Sequence, residues 1–138
     1  MTQRTLTIIK PDSVENSNTG KIIAHLENEG FRIIAGRMMH LTEVQARAFY
    51  EVHKERPFYN DLVTYMTSGP VWPLALERDD AVTYLRQTMG ATNPAEADAG
   101  TIRALYGESI ERNAIHGSDS PENAAIEINF FFSASELA

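Results

Sequence analysis

Apolar and polar residues alternate through Thr5, Leu6, Thr7, Ile8 and Ile9, the period of a strand, and Pro11 after Lys10 ends the run because proline cannot continue a central ladder. A loop carrying Asn16, Ser17, Asn18 and Gly20 follows. Ile22, Ile23 and Leu26 then recur at helical spacing, up to a C-terminal stop at Gly30. Residues 31–41, rich in Ile and Met, read as a second strand. Thr42 reads as the start of a helix with Val44, Ala48, Phe49 and Val52 as its apolar stripe, and this helix carries Tyr50. Arg56-Pro57-Phe58-Tyr59 breaks it. Leu62, Val63 and Met66 then suggest a short helix ending at Ser68-Gly69-Pro70. Residues 71–77 form a third strand, in which Pro73 removes a ladder hydrogen bond and predicts a bulge or a late start. Residues 79–89 are helical, with Ala81, Val82 and Leu85 on one face.

The pattern is irregular from 90 to 117, a stretch long enough in a small domain to suggest function. Ser120-Pro121 is a helix start, an N-cap followed by proline at the first helical position. Beyond it, Ala124, Ile128, Phe131 and Phe132 fit a helix, while Ile126, Ile128, Phe130 and Phe132 fit a strand. A helix alone and a helix followed by a last strand both stand. The order of elements predicts an α+β fold, a ferredoxin-like αβ sandwich with a four-stranded antiparallel sheet covered by helices.

Length and composition narrow the picture. A chain of 138 residues, 43% hydrophobic, is expected to form a single domain over 1–138 with its own core. It contains no cysteine, which excludes disulfides, thiolate metal sites and a cysteine nucleophile. No apolar run has signal-peptide or membrane-spanning length, so a cytoplasmic protein without membrane contact is expected. The net charge of −7 argues against a general nucleic-acid binder, which needs a basic face. It leaves room for a local basic pocket that takes one anion.

Such a pocket can be assembled from the irregular stretch. Gly90-Ala-Thr92-Asn-Pro, Gly100-Thr-Ile-Arg103 and Asn113-Ala-Ile-His116-Gly-Ser118-Asp-Ser bring hydroxyls, a guanidinium, an amide and an imidazole close together. These are the groups that bind phosphate, and the helix start at Ser120 adds the positive end of a macrodipole. A neutral imidazole is nucleophilic near pH 7 and suits a phosphoryl relay, whereas serine would hold the group too tightly. Glu127 is the nearest plausible carboxylate to orient His116, and Lys10, Arg86 and Arg103 are natural cations for the phosphate oxygens. On spacing alone, a loop histidine held by backbone remains the simpler reading of His116, as do a helix-surface cation for Arg86 and a strand-end charge for Lys10.

The string around His116 resembles the active-site signature of nucleoside diphosphate kinases. So do Thr7-Ile-Ile-Lys10-Pro-Asp, Arg56-Pro-Phe58, Met66-Thr-Ser-Gly-Pro and the two glycine-led segments above, in the same order, over residues 5–132. The resemblance implies a ping-pong exchange of phosphate between nucleoside triphosphates and diphosphates, with His116 as the phosphorylated residue. It implies that Phe58 stacks on the base and that Lys10 contacts sugar and phosphates. Arg86, Thr92 and Arg103 match phosphate contacts, and Asn113 a ribose contact. Tyr50 and Ser118 match residues lining the histidine, and Glu127 its orienting carboxylate. Stacking implies broad base tolerance. Magnesium is expected to arrive on the nucleotide phosphates rather than in a protein cage.

The sequence departs from the family pattern at Ala99, at Ala104-Leu105-Tyr106 and at Val71-Trp72-Pro73, which bears on loop, subunit contacts and the third strand. The resemblance implies a homo-oligomer, tetramer or hexamer, and the short run after the last element leans toward the tetramer. His25, His40 and His53 read as surface or core-edge residues, and Phe130 to Phe132 as packing. The alternative function is a nucleotide-binding regulatory or interaction module on the same fold.

Overall fold

A computed structural model describes residues 2–138. Strand β1, Thr2–Ile9, is exposed at its start and fully buried from Thr5 onward, on both faces. That is the mark of a central strand covered by helices on both sides. Lys10 caps a short helix, α1 (Pro11–Glu15), where the sequence suggested a loop. Proline breaks the ladder, but its fixed φ also suits a first helical position. Helix α2 (Thr19–Asn28) ends as expected, with Gly30 at φ 91°. Strand β2, Arg32–Gly36, is shorter than the apolar run suggested. A β-carbon on Gly36 would lie 2.5 Å from Leu74 Cδ2, and beyond it Arg37 N–H reaches the Pro73 carbonyl at 3.4 Å and Met39 bridges Val71.

Helix α3, Glu43–Phe49, opens with a capping box between Thr42 and Gln45. Its expected stripe is wrong. Val44 and Val52 are 79% and 82% exposed, and Ala46 and Tyr50 are buried instead. The helix stops at Phe49 and the chain turns through Tyr50 into a single 3-10 turn, Glu51–His53, so the helical period does not carry on to Val52. Helix α4 is Tyr59–Met66 and strand β3 is Trp72–Asp79. Pro73 sits opposite Ile8 with no break in the β1–β3 register. The bulge lies across the other seam, on β2 between Ile33 and Ala35. Helix α5, Ala81–Met89, follows Asp80 at φ 51°.

The irregular stretch holds a 3-10 turn (Pro94–Glu96), helix α6 (Ile102–Tyr106) and strand β4, Ile115–Gly117. Helix α7, Pro121–Phe131, starts at the Ser120 cap, with the Ser120 hydroxyl accepting from Asn123 N–H. After it comes one 3-10 turn, Ala134–Glu136, and no strand. The fourth strand is therefore the histidine segment itself.

The sheet order is β2-β3-β1-β4 with every neighbouring pair antiparallel, two interleaved split βαβ units in an α+β ferredoxin-like fold. One core, with Leu6, Ile8, Val63, Met66, Ile128 and Phe131, lies under α3, α4 and α7. The other, with Ile9, Ile22, Leu26, Leu85 and Ile115, lies under α2 and α5. Among the described residues no helix is long and apolar enough to cross a membrane.

Candidate active site

β4 is an edge strand of three residues, and His116 is its middle one, opposite Ile8. The strand is clamped from both sides. Thr7 Oγ1 donates to the His116 carbonyl at 2.6 Å, and a β-carbon on Gly117 would meet Met89 Sδ at 2.8 Å, so only glycine lets the strand sit this close to α5. The flanking Ile115 and Gly117 are buried, whereas the His116 side chain is 20% exposed and looks into a cleft of about 540 Å³. A smaller lobe of about 380 Å³ adjoins it, walled by Phe58, Leu62, Tyr65 and Ile110. Volumes of this size suit a ligand of nucleotide dimensions.

Nine of the ten residues singled out from sequence line this cleft: Lys10, Tyr50, Phe58, Arg86, Thr92, Arg103, Asn113, His116 and Glu127. The tenth, Ser118, is fully buried behind Glu127. They come from six separate parts of the chain, which explains why no local pattern could show them together.

His116 Nε2 lies 2.8 Å from Glu127 Oε1, and Ser118 Oγ donates to the same oxygen at 2.8 Å. Helix α7 runs back past the edge strand and so returns Glu127 to the ring. A carboxylate on Nε2 fixes the proton there and leaves Nδ1 with its lone pair. The Phe49 ring stands edge-on to the imidazole at 5.5 Å and the Tyr50 ring at 6.3 Å. The Tyr50 hydroxyl is buried without a hydrogen-bond partner among the described residues, and burial, with Glu127, holds its pKa above the ordinary range.

The cations are pre-set and costly. Lys10 is 8% exposed and donates to Asn113 Oδ1 at 2.8 Å; burial, then Arg103, lowers its pKa to about 8. Arg103 donates to the carbonyls of Gly90, Asn113 and Ile115, and burial, then Arg86, lowers its pKa to about 10. It pins the Gly90 turn and the His116 strand together without a carboxylate partner. The Arg86 guanidinium makes no ion pair or hydrogen bond among the described residues. Arg103 disfavours the charge on Lys10 more than either nearby Asp12 or Glu111 favours it, and Arg86 disfavours that on Arg103, so an entering phosphate relieves the cluster.

Asn113 spends its side chain inside the protein, accepting from Lys10 and donating to the Thr92 carbonyl at 3.0 Å. Sequence reasoning missed Phe49, Leu62, Ile110 and Asp12. Ile110 lies in an irregular segment with no periodicity to mark it. Asp12 stands inside a quoted motif but carried no stated role.

The fold and the cleft together fit a phosphotransferase, an enzyme that moves a phosphoryl group between anionic substrates. The family model for nucleoside diphosphate kinase matches residues 3–137, and the chain belongs to that family, transferases that pass phosphate between nucleotides. The nucleoside diphosphate kinase of Geotalea daltonii is 57% identical over 135 residues, covering 98% of each chain, and that of Campylobacter curvus is 59% identical with the same coverage. Among solved structures, the Aquifex aeolicus nucleoside diphosphate kinase superposes with a TM-score of 0.98 at 45% identity over the whole of both chains. The Halobacterium salinarum enzyme, solved in complex with CDP, does so with 0.95 at 38% identity, over all of this chain and 92% of that one.

Proposed function

We propose that the chain, as one domain over residues 1–138, works by double displacement through a phosphohistidine at His116. The observation that carries this is the 2.8 Å contact between His116 Nε2 and Glu127, in a cleft whose walls hold Lys10, Arg86 and Arg103. Nδ1 attacks the terminal phosphorus of a nucleoside triphosphate. The nitrogen–phosphorus bond forms as the bond to the β–γ bridging oxygen breaks, and the diphosphate leaves with that electron pair. Glu127 offsets the positive charge that grows on the ring, and Ser118 fixes Glu127. The terminal oxygen of a second diphosphate then attacks the phosphorus, and the electron pair returns to Nδ1.

Lys10, Arg86, Arg103 and the Thr92 hydroxyl are assigned to the phosphate oxygens, and the buried Tyr50 hydroxyl stands ready as a further donor. Phe58, 45% exposed at the cleft mouth, is assigned to the base by stacking, which reads base identity weakly. Asn113 is assigned to the ribose as well as to holding Lys10.

Magnesium is assigned to the nucleotide, not to a protein cage. Among the described residues no three His, Asp or Glu side chains are placed to hold an ion, and both carboxylates on the wall of the larger cleft are engaged, Glu127 by His116 and Ser118 and Asp119 by the Asn123 amide at 2.6 Å. Carboxylates already held by protein donors, in a cleft lined with cations, suit an ion carried on phosphate oxygens, where it would neutralise their charge. Substrates are thus nucleoside triphosphates and diphosphates; a homo-oligomer, tetramer or hexamer, in the cytoplasm is the assembly and location proposed.

Incubation with γ-labelled ATP is expected to leave an acid-labile, alkali-stable phosphoryl group on the protein, and none on His116→Ala. Label that survives in the variant contradicts the assignment. A nucleotide-binding module without turnover would show binding but no label.

A further inference from the structure

Asp12 is fully buried two residues beyond Lys10, and its carboxylate faces the backbone behind the histidine strand. Oδ2 accepts from Ala114 N–H at 3.1 Å, and Oδ1 accepts from the Tyr65 hydroxyl. The Asp12 N–H donates in turn to the Tyr65 oxygen at 2.9 Å. Ala114 has φ 74°, in the left-handed region that a β-carbon disfavours. Its carbonyl is also held, accepting from Lys10 N–H at 2.9 Å. Both ends of this one strained residue are therefore gripped by the segment that leaves β1. Its neighbour Asn113 meets Lys10, and His116 follows two residues later.

We infer that Asp12 is a positioning residue for phosphoryl transfer: it holds Ala114 in the left-handed conformation that turns the chain from Asn113 into β4, and so sets where His116 enters the cleft. Backbone strain of this kind persists only where the surroundings over-determine it, and a charge-assisted hydrogen bond to a buried amide is strong enough to contribute. Tyr65 keeps the carboxylate aimed, and burial together with Asp12 keeps its phenol protonated as a donor. The inference rests on His116 being the nucleophile.

Asp12→Asn keeps the size of the side chain but removes its charge and turns an amide NH₂ toward one of the two donors. The readout is the rate at which γ-labelled ATP labels His116 at saturating nucleotide, with the melting temperature beside it. Labelling is expected to slow by about 10- to 100-fold. Ala114→Gly in the same chain is expected to restore the rate to within severalfold of wild type, because glycine holds a positive φ without the carboxylate's pull. The melting temperature of the double variant stays below wild type, since the mismatched buried amide remains, so rescue of rate is not rescue of stability.

Wild-type labelling by Asp12→Asn, or a loss that Ala114→Gly leaves untouched, overturns the assignment. Should Asp12→Asn fail to fold, Tyr65→Phe removes one hydrogen bond from the same carboxylate. A severalfold slowing reversed by Ala114→Gly then supports the role, and an unchanged rate overturns it. A wild-type protein that takes no label on His116 removes the histidine reading, and this inference with it.

Discussion

Lys10 shows how one side chain can tie pH to both binding and folding. Below about pH 8 it is charged in the folded protein and can meet phosphate; above that value the free enzyme loses the cation. kcat/KM for the triphosphate is therefore expected to fall along an alkaline limb near pH 8, and a profile flat to pH 9.5 would show that the charge is not used. Stability runs the other way. The unfolded lysine keeps its proton up to about 10.5, so between pH 8 and 10.5 the unfolded state binds more protons, and the unfolding free energy contributed by this group rises with pH. Denaturant melts across that range, compared with Lys10→Met, isolate the term. At this scale the sequence was informative about which residue types the site uses. It could not show that Asn113 bridges Lys10 and Thr92, partners 103 and 21 positions away, or that Ser118 reaches the histidine through Glu127, because those bonds need the fold to return α7 to β4.

Among the elements, β4 is where the local pattern and the fold disagree. A three-residue strand has no alternation to detect, and Ile115-His116-Gly117 looks like part of a loop until β1 pairs with it. The apolar tail after Ser120 was ambiguous for the opposite reason, since its many large side chains satisfy both periods. Pro73 was legible as a problem, but the β1–β3 register passes it unbroken and the bulge lies elsewhere, on β2 between Ile33 and Ala35. Capping signals were the more dependable guides: Thr42, Gly30 and Ser120-Pro121 each mark a boundary that the backbone confirms. The tight seat of β4 gives a direct expectation. Gly117→Ala drives a methyl into Met89 and Leu85, whose nearest atoms would lie 2.8 and 3.1 Å away. It should cost about 1–3 kcal/mol of stability in denaturant melts and lower activity by shifting the neighbouring His116. A variant as stable and active as wild type would mean that the β4–α5 contact does not set the strand.

Across the whole molecule, net charge and local charge have opposite signs, as the expected basic pocket in an acidic protein requires. The protein carries −7 overall, yet concentrates Lys10, Arg86 and Arg103 around one imidazole. Long-range attraction therefore does little to bring nucleotides in, and binding depends on desolvated cations at short range. The fold supplies that arrangement economically. A strand order of β2-β3-β1-β4 places the end of β1 beside the histidine strand, so Lys10 and His116 become neighbours although 106 positions separate them. The ferredoxin-like class was legible from element order, while the convergence of loops on the edge strand was a consequence of topology that no segment displays alone.

The activity turns on phosphate resting on His116 and returning to a nucleotide. The direct measurement is to label the protein with γ-labelled ATP, free it of nucleotide, and add unlabelled GDP and magnesium. The expected result is loss of protein label with matching appearance of labelled GTP. Label that stays on the protein, or leaves only as inorganic phosphate while GDP is unchanged, contradicts the double displacement.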